Sequence, residues 1–303
     1  MRNIDKVMLN FSGGYDSLTA ATVLAGKAKE VHLVTFRVLT EVFLGLSRSN
    51  LAHLEREHPD TKFVHKIVDI RGVQKKLLEK YPENCASFGS EWSPLGMWCC
   101  TCQLSMRAAS ILYCLEHGIT VCADGATRAE YHHSSHKVGF INAIRGLYHG
   151  YGLEFINPIY DLNVKTRKYL KDKGYRTGFE VFSTKYIQPL CWFTFFSNLR
   201  QRVSPAATRE GTVAKYVEMM MPVIRGVVED GIKKRGMDIA APGGEKRCPA
   251  DLLEEEYVPS DAEVKTVSRT ALCLRMIFAP FYIIFNWLVR RRYLEGRERG
   301  EFR

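Results

Sequence analysis

No stretch of this 303-residue sequence is apolar for long enough to cross a lipid bilayer as it stands. The run Met276 to Val289 is apolar apart from Asn286, but it holds fourteen residues, and extending it backwards meets Arg275. Arg290, Arg291 and Arg292 follow. Three readings stay open: a helix packed on the core, an interfacial amphipathic anchor making peripheral membrane contact through residues 271–292, or a true span. Internal repeats and low-complexity tracts are also missing, which excludes a solenoid array and a compositionally disordered chain. The charged, apolar and small-residue regions of a signal peptide do not occur at the start, which runs directly into a strand-like segment. The expectation is a reducing, cytoplasmic compartment, with peripheral membrane association as the alternative.

What is present is ordinary for a globular protein: 46% apolar and 25% charged residues, enough to bury a real core. The formal charge of +10 and a pI near 9.1 favour a polyanionic partner such as nucleic acid, an anionic membrane or a nucleotide. A merely basic soluble protein fits the same numbers. In a reducing compartment the nine cysteines point to metal or redox chemistry wherever they cluster, rather than to disulfides.

Val7 to Phe11 reads as a buried strand, and Ser17 to Lys27 as an Ala- and Leu-rich helix directly behind two glycines. Val31–Val38, Phe63–Ile70, Ile119–Ala123 and Phe155–Tyr160 supply four more strands, alternating with helices. The expected fold is α/β, a parallel doubly wound, Rossmann-like sheet of about five strands with a C-terminal helical extension. Tyr81 to Trp98 reads as irregular, and a helix from about Thr101 to His117 follows, with cysteines at its start. Beyond Arg202 the alternation stops, leaving a helix near Ala206 to Arg235, a loop and a last helix. We therefore expect a catalytic domain over 1–202 and an extension over 203–303.

Ser12-Gly13-Gly14-Tyr15-Asp16-Ser17 has what a phosphate site needs: glycines that let the backbone approach closely, flanking hydroxyls and a helix N-terminus behind. It lacks the Gly-Lys-Ser/Thr ending of a Walker A loop. The hexapeptide resembles the signature of the PP-loop ATP pyrophosphatases, whose sheet belongs to the adenine nucleotide alpha hydrolase-like class. The resemblance implies that ATP is cleaved to AMP and pyrophosphate as a substrate is adenylated. It implies that Ser12, Gly13, Gly14, Asp16 and Ser17 hold the phosphates and that Thr35 and Phe36 meet the adenine. Asp16 reads either as a ligand of Mg²⁺ or as a cap of the helix.

Cys99-Cys100-Thr101-Cys102 places a Cys-x-x-Cys before a helix, and Cys191 lies far downstream after Pro189. Such a pair binds soft metals through converging thiolates. With the phosphate loop it resembles the iron-sulfur-dependent tRNA 2-thiolation subgroup, as do Arg107, Ile111-Leu112-Tyr113 and Asn157-Pro158-Ile159-Tyr160. That resemblance implies a 4Fe-4S cluster on Cys99, Cys102 and Cys191, with one iron open for the sulfur that attacks the adenylated carbon. A structural Zn²⁺ with a fourth ligand and buried inert thiols are the other readings. The subgroup's Gly-His and paired aspartates are replaced here by Ala123-Asp124-Gly125-Ala126-Thr127-Arg128. Asp124, Gly125 and Arg128 are candidates for the missing phosphate or substrate work, against a satisfied turn Asp and a surface Arg. His132, His133 and His136 read as a polar rim of the cleft, with a metal site as the alternative.

Lys165, Arg167, Lys168 and Lys171, interleaved with Tyr169, have the pattern of an RNA-contacting face or of a solvated helix. The combined expectation is adenylation followed by sulfur insertion, with tRNA or another anionic substrate, a sulfur donor and a compatible homodimeric assembly. An amidotransferase or ligase delivering nitrogen and a non-catalytic nucleotide- or metal-binding module are the alternatives.

Overall fold

A computed structural model describes residues 4–42, 44–88, 91, 92, 94–128, 133–162, 165–176, 190, 191 and 210–237. Five strands form one parallel sheet: β1 (Ile4–Asn10), β2 (Ala28–Arg37), β4 (Lys62–Asp69), β5 (Val121–Ala123) and β6 (Glu154–Ile156). Their spatial order is β4-β2-β1-β5-β6. Counted within the sheet alone this is 3-2-1-4-5, the Rossmann-like arrangement, with its topological switch point between β1 and β5. A separate antiparallel pair joins β3 (Glu41–Val42) to β7 (Leu190–Cys191). The expected doubly wound α/β class and all five of its strands are borne out.

Strand periodicity divides the core in two. On one face Val7, Leu9, Val31 and Leu33 pack against α1 (Tyr15–Ala25), α2 (Leu51–Glu57) and α7 (Thr166–Asp172). On the other, Met8, Val34 and Phe36 pack against α3 (Arg71–Leu78), α4 (Tyr81–Phe88), α5 (Pro94–Glu116) and α6 (Val138–His149). A strand buried on both faces needs an unbroken apolar run, and Val31 to Phe36, interrupted only by His32 and Thr35, provides it. His32 sits there because both ring nitrogens are engaged, by Tyr113 Oη at 2.8 Å and Glu30 Oε1 at 2.7 Å.

From the expected extension, α8 (Glu210–Arg235) belongs to this second face. Val213, Tyr216, Val217, Met220, Ile224 and Val228 form a stripe at helical spacing and are buried against α5 and α6. Each such side chain contributes roughly 1.5–3 kcal/mol of burial. Gly231 permits the close crossing: a Cβ there would lie 2.7 Å from Leu112 Cδ1.

Two expectations need correcting. Tyr81 to Trp98 is not irregular throughout, since α4 occupies Tyr81–Phe88, and α5 begins at Pro94 rather than near Thr101. Pro94 reads as a breaker in sequence, but a proline in the first turn of a helix loses no hydrogen bond. Among the described residues no helix is long and apolar enough to cross a membrane. The segment 271–292 lies outside the described residues.

Candidate nucleotide site and cysteine helix

The chain leaves β1 at its carboxyl end, beside the switch point, and turns directly into α1. Gly13 makes the turn at φ +76°, a left-handed conformation that costs a side-chain-bearing residue about 1–2 kcal/mol. Gly14 then enters α1 extended, as its N-cap, with no side-chain cap. Ser12 Oγ lies 3.1 Å from Ser17 Oγ and accepts the Gly14 N–H at 3.2 Å, so the two hydroxyls close around the loop. The result brings the start of α1, with the positive end of its dipole, to a turn flanked by the hydroxyls of Ser12 and Ser17. Five of the residues chosen from sequence, Ser12, Gly13, Gly14, Asp16 and Ser17, therefore meet in one loop.

Asp16 takes a partner that sequence reading missed. Thr166 Oγ1, at the first position of α7, donates to its Oδ1 at 2.8 Å. Tyr169 Oη lies 3.4 Å from Thr22 Oγ1, and the Arg167 guanidinium stands 5.8 Å from the centre of the Tyr15 ring. The basic stretch is thus seated on α1 next to the phosphate loop. Lys165, Arg167, Lys168 and Lys171 are all exposed, and Lys168 pairs with Asp172 at 2.6 Å.

At the end of β2 the two expected adenine residues face opposite ways. Phe36 enters the apolar core, whereas Thr35 donates to Phe11 O at 2.6 Å and accepts from His65. Ser47 donates to Leu44 O at 2.8 Å, so both hydroxyls present lone pairs to His65 Nε2, at 3.1 and 3.2 Å. The proton therefore sits on Nε2, and Nδ1 accepts from Arg48 Nε at 3.2 Å. Burial, and then the Arg48 charge, pushes His65 down to about 4.

Across the switch point, the turn after β5 is held from below. Asp124 accepts from Arg107 Nη2 on one oxygen, and from Asn157 Nδ2 and the Ala126 N–H (3.0 Å) on the other. Asp124 thus binds protein donors at three points and faces the fold. Gly125 backs directly onto α1: a Cβ there would lie 2.7 Å from Ser17 N and 2.8 Å from Asp16 C. Arg128 pairs with Asp161 at 2.6 Å and lies over the Tyr160 ring. His133 and His136 lie with ring centres 5.4 Å apart and planes tilted by 44°, and His132 lies outside the described residues.

The cysteines are placed differently from the expectation. Cys99, Cys100 and Cys102 lie more than a turn inside α5, so the helix terminus offers their thiolates little stabilisation. Cys99 and Cys102, three apart, share a helix face, Cys99 partly exposed and Cys102 buried. Cys100 is fully buried, and burial pushes its thiol well up. Cys191 pairs through its backbone with Glu41, while its side chain lies outside the described residues. Among the described residues no three His, Cys, Asp or Glu side chains converge as a metal site.

The strand order and the helices on both faces define a doubly wound, Rossmann-like α/β fold. No family model matches the chain, and no curated protein matches it. Solved structures similar to it include the following two. One is a predicted subunit of a tRNA methyltransferase from Methanocaldococcus jannaschii, 14% identical, covering 78% of this chain and 91% of that one, with a TM-score of 0.40. The other is the U34-tRNA thiolase NcsA from Methanococcus maripaludis with its [4Fe-4S] cluster, 14% identical, covering 73% and 72%, with a TM-score of 0.35. The fold assignment here stands on the chain's own strand order.

Proposed function

We propose that this protein is a PP-loop ATP pyrophosphatase-type enzyme that adenylates a substrate and releases pyrophosphate. The observation that carries the reading is the Ser12–Ser17 loop, turned by Gly13 at φ +76° and opening α1 at the switch point of a 3-2-1-4-5 sheet. Backbone N–H groups of the loop and the hydroxyls of Ser12 and Ser17 hold the phosphates, and the end of β2 borders the adenine on its Thr35 side, Phe36 being turned into the core. Asp16, an acceptor on the loop, suits Mg²⁺, which neutralises the charge that builds on departing pyrophosphate. Residues 1–202 carry this chemistry and 203–303 are the helical extension. The test is product analysis with ATP and Mg²⁺ over candidate substrates: AMP and pyrophosphate are expected, and Asp16→Ala should abolish them. ADP and phosphate as the only products would overturn the reading.

The finer reading is sulfur insertion into RNA. Its support is the Cys99 and Cys102 pair on one face of α5 and the exposed basic α7 seated beside the phosphate loop. With Cys191 as third ligand, a 4Fe-4S cluster held there would supply an iron open to a transferable sulfur. Anaerobic preparations should then contain about four irons, lost in Cys99→Ser, Cys102→Ser and Cys191→Ser. For RNA, binding of bulk tRNA should weaken with salt at a log–log slope of roughly −0.7 to −0.9 per phosphate contact. Removing Lys165, Arg167, Lys168 and Lys171 should flatten it. The burial of Cys100 and Cys102 favours a second reading, in which the thiols are core residues and the enzyme delivers nitrogen. Iron-free protein active with an ammonia donor would decide for that reading, and stoichiometric zinc would place a structural metal there.

A further inference from the structure

We propose that Arg107 is a positioning residue of the phosphate loop, acting through Asp124 and Gly125 from the helix that carries the cysteines. The inference rests on the ATP reading of that loop. Arg107 is 3% exposed and lies in α5, five residues beyond Cys102, with its guanidinium 5.1 Å from the centre of the Phe155 ring. Its Nη2 engages Asp124, while its Nε and Nη1 meet no acceptor among the described residues. A buried arginine with a single carboxylate partner contributes little net stability, because desolvation offsets the attraction. What the pair does is geometric. Asp124 draws the turn 124–126 inward, bound on its other oxygen by the Ala126 N–H and Asn157.

The turn has no slack. Gly125 lies so close to the Asp16–Ser17 peptide that even a methyl group would overlap it. The peptide it presses on belongs to the loop expected to face the phosphates. One turn further along α5, Ser110 Oγ donates to Asn10 Oδ1 at 2.7 Å, gripping the last residue of β1 from which the loop departs. Helix α5 therefore holds the loop at its root and, through Arg107, at its back. A shift of α5 is transmitted to the phosphate site, and phosphate binding restrains α5 in return, because such coupling is reciprocal.

The experiment is a titration of the full chain with MgATP and with adenosine, using wild type, Arg107→Lys, Asp124→Asn, the double variant and Gly125→Ala, with thermal melts alongside. Expected is an affinity loss of about tenfold or more for MgATP in Gly125→Ala and severalfold in each charge variant, with adenosine unchanged. Because Arg107 acts through Asp124, the double variant should lose no more than Asp124→Asn alone. Equal MgATP affinity in all variants would overturn the inference, as would parallel losses for adenosine or additive losses in the double variant. If wild type binds adenosine but gains nothing from the triphosphate, the ATP reading fails first and the inference with it.

Discussion

The start of α1 and the second and third turns of α5 carry the two motifs that stand out in the chain, and they are built by different means. At α1 the site is made of main chain: a glycine at φ +76°, an extended glycine cap and a row of N–H groups, with side chains adding two hydroxyls and one carboxylate. At α5 everything depends on side chains, which the helix distributes around its circumference, so adjacent Cys99 and Cys100 differ in exposure. A backbone site is complete once its local turn is formed. A side-chain site is complete only when another part of the chain meets it, and for α5 the proposed partner is Cys191.

The contrast can be broken most strongly at Arg107. Arg107→Met leaves the Asp124 carboxylate buried and unpaired, and should cost about 3–5 kcal/mol in urea unfolding. A loss below about 1 kcal/mol would show that side chains matter as little behind the loop as within it. Next is Gly13→Val, which forces a β-branched residue into the left-handed region. It should cost about 1–3 kcal/mol in the same assay and remove MgATP binding. Retained binding would place the phosphates elsewhere. At α5, Cys100→Ser exchanges a fully buried thiol beside Ser134 for a hydroxyl that is costlier to desolvate and should cost about 1–3 kcal/mol, whereas Cys99→Ser should fall within about 0.5 kcal/mol. Equal costs would remove the distinction between the two thiols.

The smallest effect concerns His65, beside Thr35 at the end of β2. Its folded-state value of about 4 lies below the ordinary histidine value of 6.5, so the unfolded chain binds the proton more readily. Stability from this group is present above pH 6.5 and is lost as pH falls from 6.5 towards 4. Because His65 is only half-buried, the fall in Tm should be a few degrees at most. His65→Gln should flatten that acid limb while leaving the alkaline side unchanged, and an identical acid limb in the variant would assign it to other groups.

Much of the nucleotide side was legible because its information is local. Strand, Gly-Gly and Ala-rich helix lie within some twenty residues, and alternation along Val31 to Phe36 separates Thr35 from Phe36 by parity alone. The contacts around this framework were not legible. Nothing near Asp16 announces Thr166, which is 150 residues away. Nothing in Asp124 distinguishes a ligand-facing carboxylate from one turned inward to Arg107. The helix expected from about Thr101 begins already at Pro94, because a proline in the first turn loses no hydrogen bond.

Patterning and turn chemistry were enough for the parallel α/β architecture and the loop at the end of β1, since glycine conformation and apolar periodicity act over neighbouring residues. The assignment of Arg107 and Asp124 to each other, the seating of basic α7 on the phosphate helix, and the burial of Cys100 beside a more exposed Cys99 came from packing. Each depends on which distant surface a side chain meets, and chain spacing carries no record of that.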